Sequence, residues 1–192
     1  VIFHAAHQYG APPFSVAHQG GIFTTRTVGR NASAWKPLAA INREVLTTLG
    51  LVRGVAHTEF IRSAEDCRWY FLETSARVGG AYIVDVVEAA TGINLWREWA
   101  KIEIAGEDSP YHLPNVRDTY AGLALTLARQ EQPDTSGYTD PEIVLRVQKK
   151  HHAGLIVRSE DPKRVDELLD SYTGRFMTDF YAFEPAPDRP SS

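Results

Sequence analysis

Two stretches decide how this chain is read: Gly54-Val-Ala-His-Thr-Glu-Phe-Ile-Arg62 and Arg68-Trp-Tyr-Phe-Leu-Glu-Thr-Ser75, joined by the polar link Ser63-Ala-Glu-Asp-Cys67. Both are rich in β-branched and aromatic residues, and a link this short between such runs predicts a β-hairpin. A hairpin symmetrical about Asp66 sets Glu59 opposite Glu73; a shift of two residues leaves them diagonal on the same face. Strict alternation then puts His57, Glu59 and Ile61 on one face with Trp69, Phe71, Glu73, Ser75 and Arg77. Thr58, Phe60, Tyr70 and Leu72 fall on the other.

Two like charges facing each other across a strand pair destabilise it, so something must compensate. A divalent cation with a taste for hard oxygen ligands, Mg²⁺ or Mn²⁺, fits this need, and Mg²⁺ takes one or two carboxylates while keeping sites for water and phosphate oxygens. Arg77 on the same face can neutralise a phosphoryl oxygen or a carboxylate. The amides of Val78, Gly79 and Gly80 lead into a helix N-terminus, which suits an anion. His57, beside Glu59, is a candidate substrate contact. The plainer reading is that Glu59 and Glu73 are solvent-facing residues on an open sheet face, which is common in antiparallel sheets.

Outward from the hairpin, the period of the apolar residues changes. Leu38, Ile41, Val45 and Leu49 predict an amphipathic helix from Pro37, stopped by Gly50 and covering one face of a sheet. Tyr82, Ile83, Val86, Val87 and Ala90 predict a second helix closed by Gly92, and Asn94 is placed to cap a third that ends at Gly106. Upstream, Val1 to Tyr9 and Gly21 to Val28 read as strands around a Gly-Pro-rich break. Downstream of a Pro-containing boundary at Glu107 to Asn115, strands are expected at Tyr120 to Ala128, Ile143 to Val147 and Gly154 to Arg158. A helix opens at Asp161-Pro162 with Val165, Leu168, Leu169 and Tyr172 as its buried stripe.

Composition narrows the function classes. The chain has 192 residues, 43% hydrophobic and 23% charged, with a formal net charge of −4, so neither nucleic acid nor an anionic membrane is the expected main partner. No apolar run reaches the roughly 20 residues of a membrane span. One cysteine, Cys67, excludes an internal disulfide framework and fits a reducing, cytoplasmic setting. Seven histidines offer no ligand spacing: His4 and His7 lie on opposite faces of a strand, and His151 and His152 are adjacent. The basic run Arg146, Lys149, Lys150, His151 and His152 reads as a solvated face. Because Met177 is the sole methionine and Val1-Ile2-Phe3 already looks like strand, the chain is read as the C-terminal part of a longer protein.

The order Gly54-Val-Ala-His-Thr-Glu-Phe-Ile, turn, Trp69-Tyr-Phe-Leu-Glu-Thr-Ser-Ala-Arg-Val-Gly-Gly80, then a helix ending in Thr91-Gly92-Ile-Asn-Leu, resembles the second half of the ATP-grasp domain. The nearest branch is that of carbamoyl-phosphate-synthase-like, biotin-carboxylase-like and L-amino-acid-ligase members. His7-Gln-Tyr-Gly-Ala-Pro-Pro, Gly20-Gly-Ile-Phe-Thr and His151-His-Ala-Gly-Leu-Ile-Val resemble that branch less strongly. The resemblance implies an α+β fold, an antiparallel sheet with helices packed on one face plus a small α/β C-terminal extension. The implied division is residues 1–106 as the C-terminal half of an ATP-grasp domain, 116–182 as a small subdomain and 183–192 as a disordered tail.

It further implies a ligase that phosphorylates a small-molecule carboxylate with ATP and lets an amine-type nucleophile displace the phosphate from the acyl phosphate. Glu59 and Glu73 would hold Mg²⁺, Arg77 the transferred phosphoryl group, and Gly79 and Gly80 the nucleotide phosphates. The family has Asn where this chain has Ser75, which makes Ser75 a shortened third metal ligand. The nucleotide-binding lysines and Gly-rich loop of the family match none of Lys36, Lys101, Lys149, Lys150 and Lys163, so an absent N-terminal half is the expected partner and the isolated chain is expected to bind ATP weakly and to be inactive. The substitution at Ser75 leaves open a second reading, a degenerate ATP-grasp module for binding or assembly. A homodimer is compatible with the sequence.

Overall fold

A computed structural model describes residues 1–12, 16, 20–106 and 109–182. Among them the elements run β1 (Ala6–Tyr9), β2 (Phe23–Val28), α1 (Trp35–Thr48), β3 (His57–Arg62), β4 (Trp69–Ser75), α2 (Ile83–Thr91), α3 (Leu95–Ala105), β5 (Tyr120–Leu127), β6 (Ile143–Arg146), β7 (His152–Ser159) and α4 (Pro162–Asp179). The expected tail at 183–192 lies outside the described residues, as do Glu107 and Asp108 of the expected boundary. The extended run foreseen from Val1 forms strand only from Ala6.

These elements sort into two units, one of residues 1–6 and 28–117, the other of 7–27 with 118 onward. The chain therefore does not divide once, between 106 and 116. β2 pairs antiparallel with β5, Thr25 opposite Leu123, and this ladder carries β2 and its neighbour β1 into the same sheet as the C-terminal strands. What was expected as a separate small subdomain shares its sheet with the start of the chain.

That second unit is a five-stranded sheet in the order β1-β2-β5-β7-β6, antiparallel between β2 and β5, β5 and β7, and β6 and β7. Its central strands explain its core: Ala121, Leu123, Ala124, Ala153, Leu155, Ile156 and Val157 are all fully buried. α4 packs on β5 and β7. Asp161 caps it by accepting from Lys163 N at 2.9 Å with Pro162 in the first turn, as the sequence predicts. Its buried stripe is the expected Val165, Leu168, Leu169 and Tyr172, extended by Phe176. The fit is close: a Cβ on Gly122 would lie 2.8 Å from both Leu169 Cδ1 and Val165 Cγ1, so only glycine lets the helix settle here. Tyr138 closes the far end, edge-on to Tyr172 and Phe176.

The first unit holds the β3–β4 hairpin and helices α1 to α3. α2 is apolar on most sides, with Ile83, Val84, Val86, Val87 and Ala90 buried. Gly92 ends it in a left-handed conformation, and Asn94 then caps α3 by accepting from Arg97 N at 3.0 Å. α3 adds one buried charge, Glu98, which accepts hydrogen bonds from Lys101 Nζ at 3.0 Å and Tyr111 Oη at 2.8 Å. Burial alone would raise Glu98, but these bonds outweigh it and hold the carboxyl below the usual glutamate range. Burial, with Glu98 as neighbour, pushes the Tyr111 phenol up to about 12. None of the described helices is long and apolar enough to cross a membrane.

Candidate functional site

The hairpin pairs as the sequence predicts at its open end: His57 stands opposite Ser75, Thr58 opposite Thr74, and Glu59 opposite Glu73. The Thr58 and Thr74 hydroxyls meet at 2.7 Å across the strands, which pins this register from the face opposite the two carboxylates. The six-residue connection is tied by Ser63 N donating to Arg68 O and by Asp66, which accepts from Arg68 N and Tyr70 Oη. Those bonds, that of Tyr70 foremost, hold the Asp66 carboxyl below its ordinary range.

Beyond Glu59 the register shifts by one residue: Phe60 pairs with Phe71, Ile61 with Tyr70, and Arg62 with Trp69. Leu72 is the extra residue of a β-bulge, and one extra residue flips every side chain that follows it. Strict alternation therefore fails in this half. Trp69 and Phe71 do not share the carboxylate face; Phe71 packs edge-on against Phe60 at 6.1 Å, and Arg62 lies over the Trp69 ring at 6.0 Å. Tyr70 takes their place beside Ile61. No residue-type signal announces the bulge, because Phe, Leu and Tyr are equally at home on either face.

The carboxylate face thus holds His57, Glu59, Glu73 and Ser75. His57 Nε2 is 3.4 Å from Glu59 Oε1, and both side chains are about three-quarters buried, at 21% and 26% exposure. Glu73 is exposed and Ser75 half-buried. His57 also reaches the loop that follows the hairpin: a Cβ on Gly79 would lie 3.0 Å from His57 Nδ1 and 2.9 Å from Ile83 Cγ2. Glycine at 79 is a packing requirement, and it brings backbone, imidazole and the start of α2 together. His57, expected as a substrate contact, is placed by this geometry between Glu59 and that loop.

Val78 and Gly79 are buried, while Gly80 is exposed with open space around the position of a Cβ. The next two residues, Ala81 and Tyr82, have φ of 48° and 61°, left-handed values that non-glycine residues adopt only under local constraint. The turn delivers the chain to α2, whose N-cap Tyr82 gives no side-chain cap. Arg77, exposed, donates from Nη1 to Val78 O at 2.8 Å, so its guanidinium folds back along the loop. In the first turn of α2, burial pushes the Asp85 carboxyl above its usual range, with Glu88 adding to the effect.

The donor set is two carboxylates and a hydroxyl, all oxygen. Among the described residues no group of three or more His, Cys, Asp and Glu converges to form a complete metal cage. Such a set fits Mg²⁺, which completes its octahedron with water and phosphate oxygens, and does not fit a structural zinc. Of the expected site residues, Glu59, Glu73, Ser75 and His57 share one face, and Arg77, Gly79 and Gly80 form the loop that leaves it. His4, set aside as a ligand, packs edge-on against Trp35 at 5.9 Å, and burial, then the nearby Arg43, holds its imidazole below the usual histidine range.

With its antiparallel ladders and helices, the fold matches part of the chains of ATP-grasp enzymes. Two solved structures carry the match. Phosphoribosylglycinamide synthetase from Anaerococcus prevotii is similar at a TM-score of 0.56 over 83% of this chain, with 15% identity. L-amino acid ligase from Bacillus licheniformis is similar at a TM-score of 0.55 over 86% of this chain, again with 15% identity. The chain spans 44% of the length of each. The likeness is one of fold. No protein-family model and no curated protein matches the sequence.

Proposed function

We propose that this chain is the C-terminal part of an ATP-dependent carboxylate–amine (or related) ligase that acts through an acyl phosphate, and that it supplies the Mg²⁺ and phosphate side of the nucleotide site. The observation that carries this reading is the pairing of Glu59 with Glu73, with Ser75 beside them and the Arg77 to Gly80 loop leading directly into α2. Two carboxylates placed opposite each other weaken a hairpin unless a cation joins them. The fold match to part of ATP-grasp enzymes supports the same reading.

Mg²⁺, when bound, would neutralise charge on the nucleotide phosphates. Glu59 and Glu73 would hold it from facing strands, and Ser75 would offer a hydroxyl oxygen. Arg77, swung off the Val78 carbonyl, would hold the transferred phosphoryl group and the acyl phosphate. The exposed amide of Gly80 and the free turn of α2 would receive phosphate oxygens. In phosphoryl transfer such positioning and charge neutralisation account for most of the rate. The lysines and Gly-rich loop that close over a nucleotide would come from the remaining half of the intact protein.

The test is ADP formation by the intact protein supplied with Mg²⁺, ATP, carboxylates and amines. Glu73→Gln keeps the side chain's size but removes its charge and replaces one acceptor oxygen with an NH₂ donor, and ADP formation is expected to fall by about 10²-fold or more; full retention would overturn the assignment. Ser75 favours a second reading, a module that binds or assembles without turnover, because its side chain is shorter than the amide the family carries there. Substrate-dependent ADP formation by the unaltered intact protein would exclude that reading.

A further inference from the structure

The basic run Arg146, Lys149 and Lys150 is not spread over a convex face. In the second unit the connection after β5 and the turn between β6 and β7 border an open groove of about 490 Å³, lined by these three residues with Gln132 and Gln148. That volume is within the range of small-molecule sites. Its walls are preformed. Ala128 N donates to His151 O at 2.8 Å and His151 N to Glu131 O at 2.9 Å, which ties the turn to the connection. The Arg146 guanidinium donates to the carbonyls of Thr135 and Tyr138, and Thr135, Tyr138 and Val147 are buried beneath.

Charge accounting shows what the groove still needs. Asp134 is the acidic lining residue; its oxygens accept from Ser136 N and Oγ at 2.8 and 2.9 Å, bonds that hold its carboxyl low, and Arg146 is the cation nearby. Lys150 Nζ pairs with Glu131 at the rim. Lys149 is exposed, and among the described residues no carboxylate pairs with its ammonium. One positive charge is left over, next to two side-chain amides that offer both donors and acceptors.

We propose that this groove binds a small organic anion, with a carboxylate or phosphate headgroup on Lys149 and the polar remainder hydrogen-bonded by Gln132 and Gln148. The inference is independent of the hairpin and of the ligase reading. Specificity for a single anionic group follows from the leftover charge. The flanking acids Glu131 and Asp134 repel a multiply charged ligand.

Titration of the full chain with succinate monomethyl ester and, separately, with dimethyl phosphate, each a monoanion at pH 7, followed by amide NMR, tests it. Saturable shifts confined to residues 132–136 and 146–150 are expected from at least one probe, and the probe that binds more tightly identifies the headgroup. Lys149→Glu is expected to weaken that binding at least ten-fold, Lys149→Arg to retain it, and Lys163→Glu, on α4, to leave it unchanged. Absence of saturation by both probes at about 10 mM, a concentration that reveals millimolar binding, would overturn the proposal. So would equal weakening by Lys149→Glu and Lys163→Glu, which would mean that only net charge is sensed. Unchanged thermal melting of Lys149→Glu keeps loss of binding distinct from loss of fold.

Discussion

The central ladders of the five-stranded sheet and the β3–β4 hairpin are both antiparallel, yet they are built on opposite terms. In the sheet, β5 and β7 bury Leu123, Leu155, Ile156 and Val157 completely, and α4 adds the aromatic column Tyr172 and Phe176. In the hairpin, Ile61 is 52% exposed and Leu72 55%, with Tyr70 and Phe71 not far behind. A two-stranded ribbon gains little from packing in this state. The residues with chemical potential, Glu59, Glu73 and Ser75, sit on the thin element, whereas the thick one is chemically bland apart from its rim. Stability and chemistry are thus separable by mutation.

The largest stability effect is expected in the sheet unit. Phe176→Ala removes a fully buried ring from contact with Tyr138, Tyr172 and Phe180, and chemical denaturation is expected to show a loss of about 3–5 kcal/mol. Gly122→Ala comes next: its methyl meets Leu169 and Val165 at 2.8 Å, and overpacking against a held helix costs about 1–3 kcal/mol. If Gly122→Ala were neutral, α4 would not be seated as closely as described.

An intermediate effect is expected at Glu98, and it depends on pH. Its folded pKa lies below the ordinary glutamate value, so its contribution is fully present above that ordinary value and lost as pH falls through the folded pKa. Glu98→Gln is expected to cost about 1–3 kcal/mol at pH 7, and the gap from the unaltered chain should close when melting is followed down to acid pH. A gap that stays constant would show that the charge on Glu98 contributes nothing. The smallest effect belongs to the hairpin: Phe71→Ser removes one half-exposed aromatic partner of Phe60, and a loss of at most about 1.5 kcal/mol is expected. A loss as large as that of Phe176→Ala would erase the contrast between the two elements.

Much of this was legible in the sequence wherever a local rule acts alone. Asp161-Pro162 and Asn94 announce their helices because capping is a matter of a few neighbouring atoms. The opposition of Glu59 and Glu73 follows from a short connection and a period of two. What stayed hidden depends on pairing or on distance along the chain. The bulge at Leu72 moved Trp69 and Phe71 off the carboxylate face, and one extra residue leaves no mark in a run where every residue suits a strand. The pairing of β2 with β5 joins residues about a hundred positions apart, so the expected boundary after Gly106 could not reveal that residues 7–27 cross it. His57 reads from the sequence as a candidate substrate contact beside Glu59; its approach to Gly79 needs the path of the loop.

The face bearing Glu59, Glu73 and Ser75 is proposed to hold a divalent cation against nucleotide phosphates. The most direct measurement is NMR line broadening of the intact protein by Mn²⁺ and ATP together. Broadening is predicted to be strongest at His57, Glu59, Glu73, Ser75 and Gly80 and to weaken along the hairpin toward Arg62 and Trp69, and Glu73→Gln should abolish the pattern. Broadening centred elsewhere, or unchanged in Glu73→Gln, would contradict the claim.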